Sequence, residues 1–313
     1  MYEIALSVSA CLRAGTRVDV AWAAQTQGFS SRDPNEALAI TPGGGRIGKV
    51  LAGSANDQLV ALAGGPGRLV SVAVSALEAE LAGLACGGDA RCLVVPATDF
   101  PPELWDRLRA RDPVCLVARL DHDRVTAIQS YDRDTIADAG EEAARLFARG
   151  ASDALVSDDA VVSVFWPVPK LLVVGAGGVS EALCANADLL GWQTQIVTDP
   201  GIATGVMAGL AVLDNIVVTA HDLDLAGPAL QAALESPAGY IGALGSRRTQ
   251  QARADWLAYR GVTDLTRVHG PAGLDIGART PAEIAVAILA EALAVRLGAP
   301  TAAPPQPTAP SHA

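Results

Sequence analysis

Apolar and polar positions follow two different regimes along the chain, mixed short elements first and then regular strand–helix alternation. Residues 2–13 space their apolar side chains as a short amphipathic helix. Val18 to Thr26, Ala37 to Thr41 and Arg46 to Leu51 read as strands. The turn-rich Gly28-Phe-Ser-Ser-Arg-Asp-Pro-Asn35 and Pro42-Gly-Gly-Gly45 separate them. Asn56 to Ala63 predicts a helix, Arg68 to Val74 an alternating strand, Ala76 to Leu84 a helix and Arg91 to Val95 a strand. Pro101 to Ala110 predicts a helix with proline in its first turn. Val114 to Arg119 and Val125 to Ser130 flank the polar turn Asp121-His122-Asp123, where His122 reads as solvated. Ile136 to Arg149 predicts a helix and Asp153 to Trp166 a hairpin. Pro167 and Pro169 then punctuate the chain. The boundary is placed there, closing an α+β domain over residues 1–168.

The pattern then becomes regular. Leu171 to Val174 are four apolar residues in a row, as in a strand buried on both faces. Gly175-Ala-Gly177-Gly178 follows, and an Ala/Leu-rich helix after it. Thr194 to Val197, Asn215 to Thr219 and Tyr240 to Leu244 read as further strands, Leu225 to Glu235 and the segment up to Arg260 as helices. Pro281 to Leu297 is a long apolar helix opened by Thr280 and Glu283. Alternating strands and helices predict a Rossmann-like domain with a mainly parallel sheet over residues 169–298. The Pro/Ala-rich residues 299–313 are expected to be disordered. The fold class is thus α/β, with an α+β domain in front.

Composition narrows the function. A hydrophobic content of 50% and a charged content of 18% describe a globular chain. The net charge of −11 disfavours nucleic acid and anionic membrane surfaces as partners. Five scattered cysteines, at 11, 86, 92, 115 and 184, make no disulfide framework and no Cys-x-x-Cys pair. The N-terminal stretch lacks a secretory pattern, and apolar runs are short. A cytoplasmic protein that does not enter the membrane is the expectation. A homodimer is the default assembly.

Candidate chemistry gathers at strand ends. Gly175 allows a tight turn, Gly177 lets a pyrophosphate approach the backbone, and the helix begun at Gly178 points N–H groups at that anion. The third fingerprint glycine is replaced by Ser180, which is small enough for helix and strand to pack closely. Asp199 lies near the roughly 20-residue spacing of an acid that holds a ribose hydroxyl; a solvated strand end is the alternative. His221, Asp222 and Asp224 offer a metal site, proton transfer or a plain strand-end loop. Gly245-Ser246-Arg247-Arg248 combines a capped helix start with cations, as a phosphate site or a surface arginine pair. His269 and Asp275 belong to a Gly/Pro-rich loop that either closes over a ligand or simply turns. Cys86-Gly87-Gly88 reads as an anion nest beside a soft thiol, or as a helix end with a buried cysteine. No hydrolase elbow, Walker loop or His-Glu-x-x-His pair is present.

Tyr240-Ile-Gly-Ala-Leu-Gly-Ser-Arg-Arg248, with Arg267-Val-His-Gly-Pro-Ala-Gly-Leu-Asp-Ile-Gly-Ala-Arg-Thr-Pro-Ala-Glu-Ile-Ala-Val286, resembles the xanthine dehydrogenase accessory (XdhC/CoxI) family. His221-Asp222, Val173-Val-Gly-Ala-Gly177 and Gly83-Leu-Ala-Cys86-Gly-Gly88 match it too. The resemblance implies a chaperone that binds the molybdenum cofactor, as molybdopterin or its dinucleotide form. It also implies help in sulfurating the cofactor and delivery to a xanthine or carbon monoxide dehydrogenase-type apoenzyme. A molybdenum hydroxylase is then the client and a cysteine desulfurase a further partner. Gly175, Gly177, Gly178, Asp199, Gly245, Ser246, Arg247, His269 and Asp275 become candidate cofactor contacts. Cys86, His221 and Asp222 become candidate reactive groups, with Cys86 as a molybdenum contact. The first domain departs from the family. Gly28-Phe-Ser-Ser-Arg32 lacks the family's proline. The family's Gly-Gly-Cys-Val-Glu stretch is Ala52-Gly53-Ser54-Ala55-Asn56 here, so its cysteine is Ser54. The alternative function is an NAD(P)-dependent oxidoreductase built on the same Rossmann turn.

Overall fold

The computed structural model describes residues 1–29, 33–296 and 298. Ser30 to Arg32 and the tail 299–313 lie outside the described residues. The chain forms two units, Met1–Pro167 and another from Val168 onward.

The first unit holds α1 (Ala5–Arg13), β1 (Asp19–Gln27), β2 (Leu38–Ile40), β3 (Arg46–Gly48) and α2 (Asn56–Leu62). β4 (Arg68–Val74), α3 (Ala76–Leu81), β5 (Gly88–Pro96) and α4 (Leu104–Arg109) follow. Then come β6 (Val114–Asp121), β7 (Arg124–Tyr131), α5 (Glu141–Phe147), β8 (Asp153–Val156) and β9 (Ala160–Phe165). Its strands form one antiparallel sheet in the order β3-β2-β1-β5-β4-β7-β6-β9-β8. Side chains of β1 divide by the period of two. Val20, Trp22 and Ala24 join α1 and α4 in one core, while Ala21 and Ala23 join α2 and α3 in another.

The second unit holds β10 (Lys170–Val174), α6 (Gly178–Leu189), β11 (Gln193–Val197), α7 (Pro200–Met207) and β12 (Asn215–Val218). It continues with α8 (Leu223–Glu235), β13 (Tyr240–Ala243), α9 (Arg247–Ala258), β14 (Val268–His269) and α10 (Pro281–Arg296). All five strands are parallel, in the order β11-β10-β12-β13-β14. Both faces are covered, one by α7, α8 and α9, the other by α6 and α10. The direction of winding reverses between β10 and β12, which is where open α/β sheets leave a crevice at their C-terminal edge.

Several elements differ from the sequence expectation. The helix expected over 136–149 is a 3-10 turn, Ile136–Ala139, and then α5, because Gly140 takes φ +95° between them. The strand from Arg46 stops at Gly48, and Leu51 and Ala52 instead adopt positive φ in a 3-10 turn. α7 and the two-residue β14 were not expected. Among the described residues no helix is long and apolar enough to cross a membrane.

Candidate functional site

The C-terminal end of β10 is the centre of the second unit's sheet edge. The glycines that follow have separate reasons. A Cβ on Gly175 (φ +122°) would lie 2.6 Å from both the Ala220 nitrogen and Thr219 Oγ1. This glycine is required by the close approach of the β12 end. A Cβ on Gly177 (φ +119°) would meet nothing within 4 Å. Its missing side chain leaves open space at the start of α6, where no side chain caps the first-turn N–H groups. That is the arrangement a pyrophosphate needs. Ser180, fully buried, takes the third glycine's place and adds a bond: its Oγ lies 2.9 Å from Thr219 Oγ1. Thr219 Oγ1 in turn donates to the Val174 carbonyl at 3.2 Å. The helix, β10 and β12 are thereby tied together beneath the turn.

Strands on either side of β10 bring the other candidates to the same edge. Val174 pairs with Val197 and with Val218. Asp199 is exposed just past β11, and its Oδ1 accepts from the Ile202 N–H at 2.9 Å, capping α7. Its other oxygen has no partner among the described residues. His221 and Asp222 are exposed just past β12. Asp222 caps α8 by accepting from the Asp224 N–H at 3.1 Å. Among the described residues no group of three or more His, Cys, Asp or Glu could hold a metal, so of the alternatives for His221, Asp222 and Asp224 the metal site is not formed. Aspartates at helix starts are doing a cap's work.

Past β13, Gly245 turns at φ +135° and Ser246 caps α9, accepting from the Thr249 N–H at 3.3 Å. Arg247 and Arg248 are exposed in the first turn, which contains no acid. Cations there oppose the helix dipole, and an anion would relieve both. Behind them sits a residue the sequence reading missed. Arg253 is 1% exposed. It donates to the Leu244 carbonyl (2.7 Å) and the Ala220 carbonyl (2.7 Å), bracing both strand-end loops from below. Burial depresses its pKa. The available signal was its place four residues before the core Leu257, on the inward face of α9. A cavity of about 450 Å³ opens beside it, lined by Arg247, Gln250, Arg253, Val268, Gly270 and Pro271. None of Gly175, Gly177 or Asp199 lines it.

His269, at the end of β14, does not act alone. Its Nδ1 lies 3.4 Å from Glu291 Oε1 of α10, and its ring stacks on Tyr240 at 4.9 Å between centroids. Glu291 Oε2 accepts from Tyr240 OH (2.6 Å) and from the Gly273 N–H (2.8 Å). Burial would raise the Glu291 pKa, but the hydrogen bonds from His269, Tyr240 and Gly273 outweigh it and hold the carboxyl below its usual range. Burial and the neighbouring carboxylate push the Tyr240 phenol well up. The network fixes the 270–280 loop at its root. Asp275 is exposed in that loop and has no partner among the described residues.

Cys86 lies in the first unit, exposed between α3 and β5. Neither of the two alternatives for this stretch is formed: the glycines after Cys86 make no nest, since neither adopts positive φ, and Cys86 is not buried. They are required because backbone crowds them: a Cβ on Gly87 would lie 2.3 Å from the Val74 oxygen, and one on Gly88 2.1 Å from the Gln27 oxygen. Nor does Cys86 end the helix; Gly83, at φ +79°, turns the chain after α3. Ser54 follows the left-handed Leu51, Ala52 and Gly53. Its Oγ donates to the Leu51 carbonyl at 2.6 Å, and Asn56 Oδ1 accepts from the Val50 N–H at 3.0 Å. Both residues serve to hold the turn.

Residues 171–292 match the family model of the XdhC Rossmann domain. Among curated proteins, the chain is 34% identical over 201 residues to the uncharacterised protein YqeB of Escherichia coli (strain K12), covering 55% of this chain and 37% of that protein. It is 32% identical over 136 residues to the molybdenum cofactor insertion chaperone PaoD of the same organism, covering 42% of each. The aligned region thus spans less than half the length of either relative. A crystal structure described as a xanthine dehydrogenase from Bacillus halodurans aligns over 96% of this chain and 98% of that one, at 19% identity and a TM-score of 0.42.

Proposed function

We infer, for a chain whose residues 171–292 form an XdhC Rossmann domain, a role in molybdenum-cofactor maturation: holding the cofactor and handing it to a molybdenum hydroxylase apoenzyme. The observation that carries this reading is the relationship to a molybdenum cofactor insertion chaperone. The strand-end geometry supports it. Open space at Gly177, the uncapped start of α6 and Arg247 and Arg248 of α9, without partners among the described residues, suit a phosphorylated pterin. When bound, the cofactor supplies the molybdenum centre, and the chain's own residues bind and orient it. Gly175–Gly178 and Gly245, Ser246 and Arg247 would hold its phosphate or pyrophosphate. His269 and Asp275 would contribute to the same site, and His221 and Asp222 would be available at the β12 end for proton transfer.

Of the five cysteines only Cys86 is exposed, so it is the candidate soft donor toward molybdenum. With Ser54 in place of the family's cysteine, sulfur supply falls to another component, such as a cysteine desulfurase. The protein acts in the cytoplasm and as a homodimer in this reading. A second reading, a nicotinamide dinucleotide on the same turn, is favoured by Asp199, whose free oxygen suits a ribose hydroxyl. The discriminating experiment is reconstitution of a cofactor-free xanthine dehydrogenase-type apoenzyme with isolated cofactor. Faster or more complete activation with the chain present supports delivery; unchanged activation removes it.

A further inference from the structure

An open sheet ends in strands with unpaired backbone groups, and most such edges of this chain are blunted. In the first unit the edge strands β3 and β8 carry Arg46 and Asp153, each in an ion pair. In the second unit the edge strand β14 has only two residues. The opposite edge, β11, lacks such protection. Residues 189–198, which lead into and through it, hold no charged side chain, on a chain whose net charge is −11. β11 pairs with β10 alone. The Gln193 N–H donates to the Pro169 carbonyl, and the Val197 carbonyl accepts from the Gly175 N–H, so the backbone of both residues faces inward. Along a parallel strand the backbone groups of alternate residues point to opposite sides. Those of Thr194 and Ile196 therefore point outward, without a partner among the described residues. The side chains here are open as well: Ile196 is 40% exposed, and Leu189 and Leu190, at the end of α6, are 86% and 46% exposed.

We propose that this edge is a dimer interface, with β11 of one copy antiparallel to β11 of a second copy about a two-fold axis through Gln195. The inference rests on the homodimer of the preceding reading and supplies its contact. The axis sets Thr194 opposite the second copy's Ile196. Both present their backbone outward, so each such pair exchanges N–H···O=C bonds in both directions. Gln195 faces its own counterpart between them, with Cα atoms about 4.5 Å apart, the spacing of a non-hydrogen-bonded antiparallel pair. Charge selects a second copy as the occupant. Two acidic chains repel over most of their surfaces, and this uncharged stretch lets them meet with no like charges opposed. The contact uses the same patch on both copies, so it closes at two.

The test is sedimentation of the full chain over a dilution series, for wild type and for the exposed substitutions Gln195→Lys and Ile196→Lys, with an unfolding curve to show that each variant is folded. Wild type is expected at twice the chain mass. Both variants are expected at the chain mass, because lysine on an edge strand opposes pairing. Gln195→Cys adds a readout that needs no destabilised interface. Cα atoms about 4.5 Å apart lie within the span of a disulfide, so mild oxidation should link two copies through position 195, as mass spectrometry of the joined peptides will report. Three results would overturn the proposal. One is a wild type at the chain mass throughout, which leaves the edge to a strand of another protein. The others are a dimer that persists in both lysine variants, and a dimer of Gln195→Cys with no linkage through position 195. None of the three bears on cofactor delivery, which the apoenzyme reconstitution tests separately.

Discussion

The guanidinium of Arg253 donates to the carbonyl oxygen of Ala220 at 2.7 Å, linking α9 to the end of β12. A second bond from the same group reaches the Leu244 carbonyl at the end of β13. The residues immediately following these two carbonyls are His221 and Gly245. One buried side chain thus sets the position of two neighbouring candidate loops. Arg253→Met removes the donors and leaves both carbonyls short of a partner. A loss of about 2–4 kcal/mol in urea unfolding is expected. Arg253→Lys should recover only part of it, because an ammonium lacks the planar fork that spans two acceptors.

The two glycines of the β10 turn separate packing from ligand access. Gly175→Ala places a Cβ against the Ala220 backbone and is expected to lower soluble yield and unfolding temperature. Gly177→Ala meets no neighbour and should cost about 1–3 kcal/mol for its extended, positive-φ backbone alone. Its larger effect is expected on binding of the phosphorylated pterin, measured by fluorescence titration. Equal losses of binding and stability at Gly177 would show that the turn is only structural.

Ser180 stands where a third glycine would be, and its bond to Thr219 is the reason a serine works there. Ser180→Ala should cost about 1 kcal/mol by removing that bond. Ser180→Leu should cost more, about 1–3 kcal/mol or beyond, by forcing α6 away from the sheet. Chemical denaturation of the two variants decides between them.

Glu291 gives the fold a pH signature. Its folded pKa is depressed, so its contribution is complete above the ordinary carboxylate value of 4.5 and is lost as pH falls through the lower folded value. Glu291→Gln is therefore expected to destabilise the chain at pH 7 by about 1–3 kcal/mol, with the difference from wild type shrinking below pH 4.5. A difference that stays constant from pH 7 to pH 3 would contradict the charged role of this carboxylate.

Thiol reactivity separates the cysteines. Burial pushes the Cys115 thiol up to about 12, and Cys92 is also buried. Cys86 is exposed. In the native protein a disulfide reagent should label Cys86 first and reach Cys92 and Cys115 only on unfolding, as mass spectrometry of the labelled peptides will report.

Much of this architecture is legible along the chain, because burial on both faces writes an unbroken apolar run such as Leu171–Val174. The glycine turn and Ser246 cap are local features and are legible for the same reason. What escaped were long-range relationships. Arg253 and Glu291 are charged residues turned inward, and a pattern of polar and apolar positions places such residues at the surface. β14 has only two residues, too few for any period. The helix over 136–149 fails at Gly140, where a positive φ interrupts an otherwise helical composition. Gly87 and Gly88 suggested an anion nest, yet they are dictated by backbone from Gln27 and Val74, remote in sequence.

The central claim is that the chain holds a molybdenum cofactor at the C-terminal edge of its parallel sheet. It is tested most directly by pterin, molybdenum and nicotinamide analysis of wild-type and Gly177→Ala protein purified without oxygen from cells that make the cofactor. The account predicts near-stoichiometric pterin with molybdenum in the wild type and a marked loss in Gly177→Ala. Wild-type protein that carries nicotinamide nucleotide and no pterin, or pterin unchanged by Gly177→Ala, would contradict it.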